Sequence, residues 1–177
     1  GQPTATDTLG NSFALRDVLG VDEEKGFTLS TDKYNINKKA HFITDGIDSI
    51  DYGEGKKNIY ALDNTDVLDI TFSDRFVRDV NVGEVKLAAN TFFNGRSVYI
   101  AGLPYSSSNA RMFYKALLWA AHKENELNKA FVNHNDVEVS YYKELSTYCV
   151  INNSLEEINA TFYDIDGVAK EINLKPN

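Results

Sequence analysis

Cysteine and histidine are scarce in this sequence, and their scarcity excludes several kinds of site. The chain has one cysteine and three histidines in 177 residues. One cysteine forms no internal disulfide, and Cys149 lies between Tyr148 and Val150 in a strand-like run, which indicates a buried, inert thiol in a reducing compartment. The three histidines are His41, His122 and His134. They form neither an i, i+4 pair nor a cluster with the cysteine, so we expect no metal and no cofactor.

Basic residues and long apolar runs are also in short supply. The 18 basic residues are outnumbered by 26 acidic ones, which gives a net charge of −8. Because nucleic-acid binding depends on clustered Lys and Arg, we expect no nucleic-acid partner. No apolar run is long enough to span a bilayer and no signal-peptide pattern occurs, so we expect a cytoplasmic protein that does not contact membranes.

The strongest local signals lie in the stretch Asn90–Glu124. The dipeptide Asn94-Gly95, set between two apolar-rich runs, predicts a hairpin with a type I′ turn in which Gly95 has a positive φ. The second run, Ser97–Leu103, is apolar on both faces and predicts a central strand covered on both sides. Pro104 then ends this strand.

A helix is predicted after the proline. Any of three serines, at positions 106–108, can cap its first turn. Leu118 and Trp119 widen its apolar stripe beyond one face, so we expect a helix that is almost entirely buried. The stripe itself has helical spacing: Met112, Phe113, Ala116, Leu117, Ala120 and Ala121.

Weaker patterns predict the elements before this stretch. Phe13–Leu19 indicates a short helix that Gly20 ends. Phe27–Tyr34 and Ala40–Thr44 have the composition of strands. Asn58–Phe72 indicates two short strands around a turn.

The character of the chain changes after the predicted helix. The segment Lys123–Asn135 is polar and rich in Asn, and we place a domain boundary near Asn128, between residues 1–128 and 129–177. Beyond it no helical period persists. Four β-rich runs separated by turns fit a small antiparallel β-sandwich: Val137–Tyr141, Tyr148–Asn152, Ala160–Asp164 and Ala169–Leu174.

Three parts of the sequence resemble one enzyme family. The stretch NTFFNGRSVYIAGLPYSSSNARMFYKALLWAAHKE closely resembles the late portion of the bacterial galactosyl-N-acetylhexosamine phosphorylases, which phosphorolyse lacto-N-biose and galacto-N-biose. GQPTATDTLGNSFALRDVLGVDEEKGFTLSTDKYN resembles an earlier block of these proteins, and CVINNSLEEINATFYDIDG resembles their closing β-domain. The resemblance covers almost the whole chain, in order. These enzymes are several times longer than 177 residues.

The resemblance implies a fold and a set of partners. It implies an α/β domain with a partial, amidotransferase-like sheet and flanking helices, followed by the small antiparallel β-sandwich. It places the catalytic barrel before Gly1, so we expect a fragment without activity of its own, and phosphate and a galactosyl disaccharide would be partners of the parent catalytic domain. A homo-oligomer is compatible with this interpretation.

The titratable residues suggest no catalytic constellation. Amidotransferases attack an amide with a Cys-His-Glu triad, but here Cys149 lies in the tail and the elbow-like opening at Thr4 carries no thiol. A capping or turn role is the simpler interpretation of Thr4 itself, because the three histidines nominate no base for it. A glycosidic acid needs partial burial to raise its pKa, whereas most acids here lie in predicted loops and turns.

One acidic turn suggests a calcium loop at first sight. Asp164-Ile165-Asp166-Gly167 has the acids and the glycine of such a turn. However, Val168 and Lys175 occupy positions where a calcium loop needs oxygen ligands. We therefore interpret the segment as an ordinary turn.

The turn Gly102–Ser106 is the candidate binding site of this sequence. It joins the carboxyl end of a predicted central strand to a helix N-terminus, where open α/β sheets bind ligands. Ser106, Ser107, the free helix amides and Arg111 could hold an anion such as phosphate or a sugar hydroxyl, with Tyr105 beside them. The alternative, which we favour, is a simple N-cap with Tyr105 packed at a domain interface.

Two functions remain open at this point. The first is a non-catalytic carboxyl-terminal scaffold of a glycoside phosphorylase. The second is a free-standing carbohydrate-binding or assembly module. Sugar-binding sites usually carry aromatic platforms, but Trp119 is predicted inside a helix, and Tyr141 and Tyr142 point to opposite faces of a strand. This pattern favours the scaffold.

Overall fold

The computed structural model describes residues 5–27, 29–34, 37–71, 83–127 and 129–176. The chain divides into two compact units, Gly1–Ala121 and His122–Asn177. Strand residues outnumber helical ones, and all strand pairings among the described residues are antiparallel. Across the same ranges, no helix has the length and apolar character needed to cross a membrane.

The first unit is built on a three-stranded sheet whose order is β3-β4-β5. A two-stranded sheet, β1-β2, accompanies it. Gly20 ends the first helix with a φ of 72°, as its position in the sequence predicted. The elements are α1 (Arg16–Leu19), β1 (Val21–Glu23), β2 (Ile59–Ala61), β3 (Asp66–Thr71), β4 (Glu84–Phe92), β5 (Gly95–Ile100) and α2 (Ser107–Ala120).

Two apolar cores lie on opposite faces of this sheet. Val85 and Ala88 of β4 pack with Leu19 of α1 in one core. Leu87 and Ala89 of the same strand pack with α2 in the other. The sheet therefore lies between a layer formed by α1, β1 and β2 and a layer formed by α2.

The central strand of the described sheet is β4, which corrects the prediction made for Ser97–Leu103. β5 is an outer strand, and it ends at Ile100. The first seven residues of β4 are buried, whereas only Tyr99 of β5 is fully buried. The strand that is buried on both faces is therefore β4. The charged residues Glu84 and Lys86 interrupt its apolar pattern, so the sequence did not indicate this burial.

The hairpin turn lies one residue earlier than predicted. Phe92 pairs with Gly95, so the loop residues are Phe93 and Asn94. Phe93 has a φ of 52°, and neither Asn94 nor Gly95 is among the residues with positive φ. Positive φ at the first loop residue alone is typical of a type II′ turn, so the type I′ prediction was wrong.

Among the residues that the structure describes, two predicted strands of the first unit do not form. In the segment 27–34, the carboxylate of Glu24 accepts hydrogen bonds from the Ser30 hydroxyl at 2.6 Å and from Lys33 at 3.2 Å, and Thr31–Lys33 form a 3-10 turn. In the segment 40–44, the His41 carbonyl accepts hydrogen bonds from Thr44 at 3.1 Å and from Asp45 at 3.0 Å. Local side-chain and turn bonds replace strand pairing in both segments.

The described residues of the second unit form five strands in two antiparallel sheets, ordered β10-β9-β6 and β7-β8. Buried Phe162 contacts Tyr148 of the other sheet edge-to-face at 5.0 Å, and the apolar side chains of both sheets share one core. This arrangement is compatible with a small sandwich. The strands are β6 (Phe131–Val132), β7 (Val137–Tyr142), β8 (Thr147–Asn152), β9 (Ile158–Tyr163) and β10 (Ala169–Leu174).

Two further predictions concern single residues of this part of the chain. Cys149 is a free cysteine of intermediate exposure, because its neighbours Tyr148 and Val150 take the core side of β8. The prediction that this thiol is buried was therefore wrong. Asn128, where we placed the domain boundary, lies outside the described residues, and that boundary stays a prediction.

Candidate functional site

The predicted cap of α2 is confirmed in the turn that carries the candidate binding residues. Ser106 is the N-cap, and its hydroxyl accepts a hydrogen bond from the Asn109 amide at 3.1 Å. The Ser106 carbonyl accepts a second bond, from the Ala110 amide, at 2.9 Å. The Ser107 side chain lies outside the described side chains. The Ser106 hydroxyl thus accepts a hydrogen bond from an amide of the first turn that has no partner within the helix.

Tyr105 and Arg111 flank this cap in different environments. The Tyr105 side chain is fully exposed to solvent, at 101%. Arg111 is partly buried, and the loss of hydration lowers the pKa of its guanidinium. The structure therefore places the four candidate residues around one turn without enclosing Tyr105. Ligand binding by this turn stays a prediction.

The residue that organises the turn is Asn109, which sequence reasoning missed. Its side chain is 1% exposed, donates to the carbonyl oxygens of Asp51 at 2.8 Å and Pro104 at 2.6 Å, and accepts from the Asp51 amide at 3.1 Å. A signal was available, because Asn109 shares the inward helical face of Met112 and Ala116. A polar side chain on such a face needs buried partners.

The backbone of the loop 51–57 lies directly against the end of β5. The backbone amide of Lys56 donates a hydrogen bond to the Ala101 carbonyl oxygen at 3.1 Å. A β-carbon at Gly55 would lie 2.7 Å from the same oxygen, and one at Gly102 would overlap the carbonyl oxygen of Tyr52. Both glycines therefore permit a close approach that no other residue allows.

Beside this loop lies a polar cavity of about 390 Å³. Two of its lining residues, Glu84 and Lys86, are buried charges joined by an ion pair of 3.0 Å. Lys86 also donates to the Lys56 carbonyl at 3.1 Å, and the second oxygen of Glu84 accepts from the Asn58 amide. The other lining residues are Asp51, Tyr52, Gly53, Glu54, Gly55, Lys57 and Thr71.

A second buried cation lies on α2. Lys115 is 4% exposed, donates to the Asp45 carbonyl and lies 5.1 Å from the centre of the Phe42 ring. Burial lowers the pKa of its ammonium, and the charge of Asp45 opposes that effect. The buried polar residues Asn109 and Lys115 of this helix therefore face the loops that contain Asp51 and Asp45.

Hydrogen bonds and nearby cations lower the pKa of three carboxyl groups: Glu23, Glu24 and Asp164. At Glu23 burial acts to raise the pKa, but hydrogen bonds and charge from Lys56 and Lys25 outweigh it. A glycosidic general acid needs the opposite shift, which keeps its proton near neutral pH.

Comparison with known proteins assigns the chain to a family. A family model described as the lacto-N-biose phosphorylase central domain matches residues 1–125. The chain belongs to the lacto-N-biose phosphorylase family. A second model, the C-terminal domain of lacto-N-biose phosphorylase, matches residues 131–177. The two matches follow the order that the sequence resemblance implied.

Curated relatives in the lacto-N-biose phosphorylase family are much longer than this chain. Two 1,3-beta-galactosyl-N-acetylhexosamine phosphorylases of Lachnoclostridium phytofermentans are 44% and 41% identical over 99% and 100% of it, which is 23% of each relative. One from Bifidobacterium longum subsp. longum is 31% identical over 98% of the chain and 26% of the relative. The chain thus spans about a quarter of the length of these relatives.

Proposed function

We propose that this chain is the non-catalytic carboxyl-terminal scaffold of a glycoside phosphorylase that acts on galactosyl-β-1,3-N-acetylhexosamine disaccharides. The observation that carries the proposal is the match of both family domains, in order, over residues 1–125 and 131–177. The relatives named as 1,3-beta-galactosyl-N-acetylhexosamine phosphorylases support the substrate class.

In the proposed reaction, phosphate replaces the hexosamine on the anomeric carbon of galactose. A phosphate oxygen forms the new bond, the glycosidic C–O bond breaks, and a carboxylic acid gives a proton to the leaving oxygen. The products are galactose 1-phosphate and the free N-acetylhexosamine. We place the acid in the polypeptide that precedes this chain in its longer relatives, as the sequence resemblance implies.

We also propose that the first unit contributes to an amidotransferase-like α/β domain in the parent protein. The layered packing supports this, because α1 and α2 cover opposite faces of the sheet β3-β4-β5. The strand–turn–helix sequence from β5 to α2 supports it further. The second unit then forms the closing sandwich.

Phosphorolysis assays test the proposal directly. The 177-residue chain and the full-length polypeptide from the same gene are each incubated with phosphate and lacto-N-biose or galacto-N-biose, and galactose 1-phosphate is measured. We expect release by the full-length protein and none by the chain. Activity of the pure chain would overturn the scaffold role, and an inactive full-length protein would overturn the reaction.

A further inference from the structure

The outward face of α2 is apolar from Ala110 to Leu117. Its exposed positions follow helical spacing, at i, i+3, i+4 and i+7. Three of these side chains are large and roughly half exposed: Phe113 at 42%, Tyr114 at 46% and Leu117 at 53%. We call Ala110, Phe113, Tyr114 and Leu117 the outward stripe.

The inward face of the same helix carries the polar groups. Asn109 and Lys115 are buried, and Arg111 is partly buried, whereas the outward stripe contains no charged residue. A surface helix normally has the reverse arrangement, and a helix that is apolar on all sides is interior. The sequence predicted an almost entirely buried helix, and the described chain covers only one side of it.

The turn before the helix exposes two more large apolar side chains. Leu103 is 42% exposed and Tyr105 is fully exposed. Groups of exposed apolar side chains often mark interaction surfaces, whereas single exposed apolar residues need no explanation.

We propose that the outward stripe, together with Leu103 and Tyr105, packs against the part of the polypeptide that precedes this chain in its longer relatives. The inference rests on the proposed function, since it requires the parent protein. Matched relatives extend well beyond the chain, which covers 23% of their length, and the matching model describes a central domain. Such a domain has other parts of the same polypeptide to contact.

The size of the surface favours the same polypeptide over a second copy. A stable interface between separate proteins takes roughly 20–30 residues on each side. The stripe and its turn offer six side chains. Within one polypeptide, covalent connection supplies a high effective concentration, so a smaller contact suffices.

Cysteine labelling tests the contact without any measurement of activity. In a Cys149→Ser background, Leu117→Cys is labelled with a maleimide in the 177-residue chain and in the full-length polypeptide, and peptide mapping identifies the labelled site. We expect labelling about tenfold or more slower in the full-length protein, at every protein concentration. Met112→Cys, at a position that is 0% exposed, is the matched control and should label slowly in both.

Two outcomes would overturn the proposal. Equal rates at Leu117→Cys in both proteins would show that the stripe stays open in the parent. Protection that disappears on dilution, in either protein, would assign the surface to a second copy of the chain. Because labelling needs no substrate, failure here is distinguishable from failure of the phosphorolysis assay.

A stability measurement sharpens the result. Leu117→Glu places a charge on the outward stripe, so it should leave the melting temperature of the chain nearly unchanged and lower that of the full-length protein. Leu155→Glu, at a position that is 88% exposed in the second unit, is the matched control. Equal effects of the two variants on the full-length protein would contradict the proposal.

Discussion

The two units differ in where they place charged and apolar side chains. The first unit buries the charged residues Asp22, Glu84, Lys86 and Lys115 and exposes an apolar helix face. Among the described residues of the second unit, the buried polar side chain is an amide, Asn152. Large exposed apolar residues lie in turns, as Leu145 and Leu155 do, and in strands, as Tyr142 and Ile151 do. The first unit thus buries charged side chains and exposes an apolar helix face, whereas the second buries an uncharged amide.

Buried charge in the first unit is tolerable because each group is bonded. Asp22 accepts hydrogen bonds from the amides of Phe13 at 2.8 Å and Glu23 at 2.9 Å, and Arg16 lies 3.6 Å from its second oxygen. Removing one partner of such a group leaves an uncompensated charge in a poorly hydrated place. The first unit should therefore be far more sensitive to polar substitutions than the second.

The largest effect is expected for Glu84→Ala. The change leaves Lys86 buried without its carboxylate partner, so the first unit should lose about 3–5 kcal/mol of stability. Trp119, the one tryptophan of the chain, is 8% exposed in the core beneath α2, so its fluorescence reports on this unit during urea unfolding.

The matched control for that change is an exposed ion pair in the second unit. Glu126 and Lys129 lie 3.0 Å apart, with side chains 41% and 39% exposed. Glu126→Ala should cost less than about 1 kcal/mol. Similar costs for Glu84→Ala and Glu126→Ala would remove the distinction between the units.

A smaller effect is expected for Asn152→Ala in the second unit. The amide of Asn152 donates to the carbonyl oxygens of Glu156 at 2.7 Å and Lys175 at 3.1 Å, and its oxygen accepts from the Ser154 amide at 2.9 Å. Truncation leaves these groups without partners at a cost of about 1–3 kcal/mol. Faster hydrogen exchange in β8 and β9, with unchanged exchange in β4, would confirm the effect and its location.

The hairpin turn should respond to substitution at Phe93 and hardly at Gly95. Phe93→Gly removes a side chain from a backbone with a φ of 52°, and the first unit should gain roughly 0.5–1 kcal/mol. Phe93→Ala keeps the strained backbone and should bring no gain. A β-carbon at Gly95 would lie 3.5 Å from the Phe92 carbonyl oxygen, so Gly95→Val should cost less than about 0.5 kcal/mol. A large loss at Gly95 would restore the type I′ interpretation.

The smallest effect concerns the acidic turn of the second unit. The amides of Val168 and Asp166 donate to the Asp164 carboxylate, at 2.9 Å and 3.0 Å, and with Lys170 they hold its pKa below the usual 3.8. A carboxyl group with a lowered pKa in the folded state stabilises the protein above its unfolded pKa, and this contribution is lost as the pH falls through the folded value.

Asp164→Asn should remove that dependence. Unfolding curves of the parent and the variant, recorded at pH 6 and pH 3, should differ more at pH 6 than at pH 3. A difference that stays constant, or grows as the pH falls, would contradict the assignment of Asp164. Asp166→Ala, in the same turn, is the matched control: it keeps the backbone amide that donates to Asp164, so the pH-dependent contribution of Asp164 should remain.

Local chemistry made part of this fold predictable. The cap at Ser106, the stop at Gly20 and the four strands of the tail depend on residues close in sequence, and the structure confirms them within one or two residues. The hairpin was predicted, but its turn was misplaced by one residue. Asn-Gly is typical of a type I′ turn at those two residues, whereas the pairing of Phe92 with Gly95 puts Phe93 and Asn94 in the loop.

Contacts between distant segments could not be predicted. Asn109 meets Asp51 across 58 residues, and Lys115 meets Asp45 across 70. The loop residues Asp51 and Asp45 carry no sequence signal for these contacts, because each takes part through its backbone, which every residue has. The cap at Ser106 was therefore predictable, whereas the loop that lies against it became visible only in the structure, and ligand binding by this turn stays a prediction.

The hydrogen bonds between the Asn109 side chain and the backbone of Asp51 also have a consequence for folding kinetics. Contacts between distant segments form slowly, because the chain entropy lost in closing a long loop precedes the gain from the contact. The first unit depends on several such closures, including the bonds from Asn90 to Asp17 and Val18 across 73 and 72 residues. The second unit pairs β7 with β8, and β9 with β10, through short connections. We therefore expect the second unit to reach its native pairing before the first, although ribosomes synthesise it after the first.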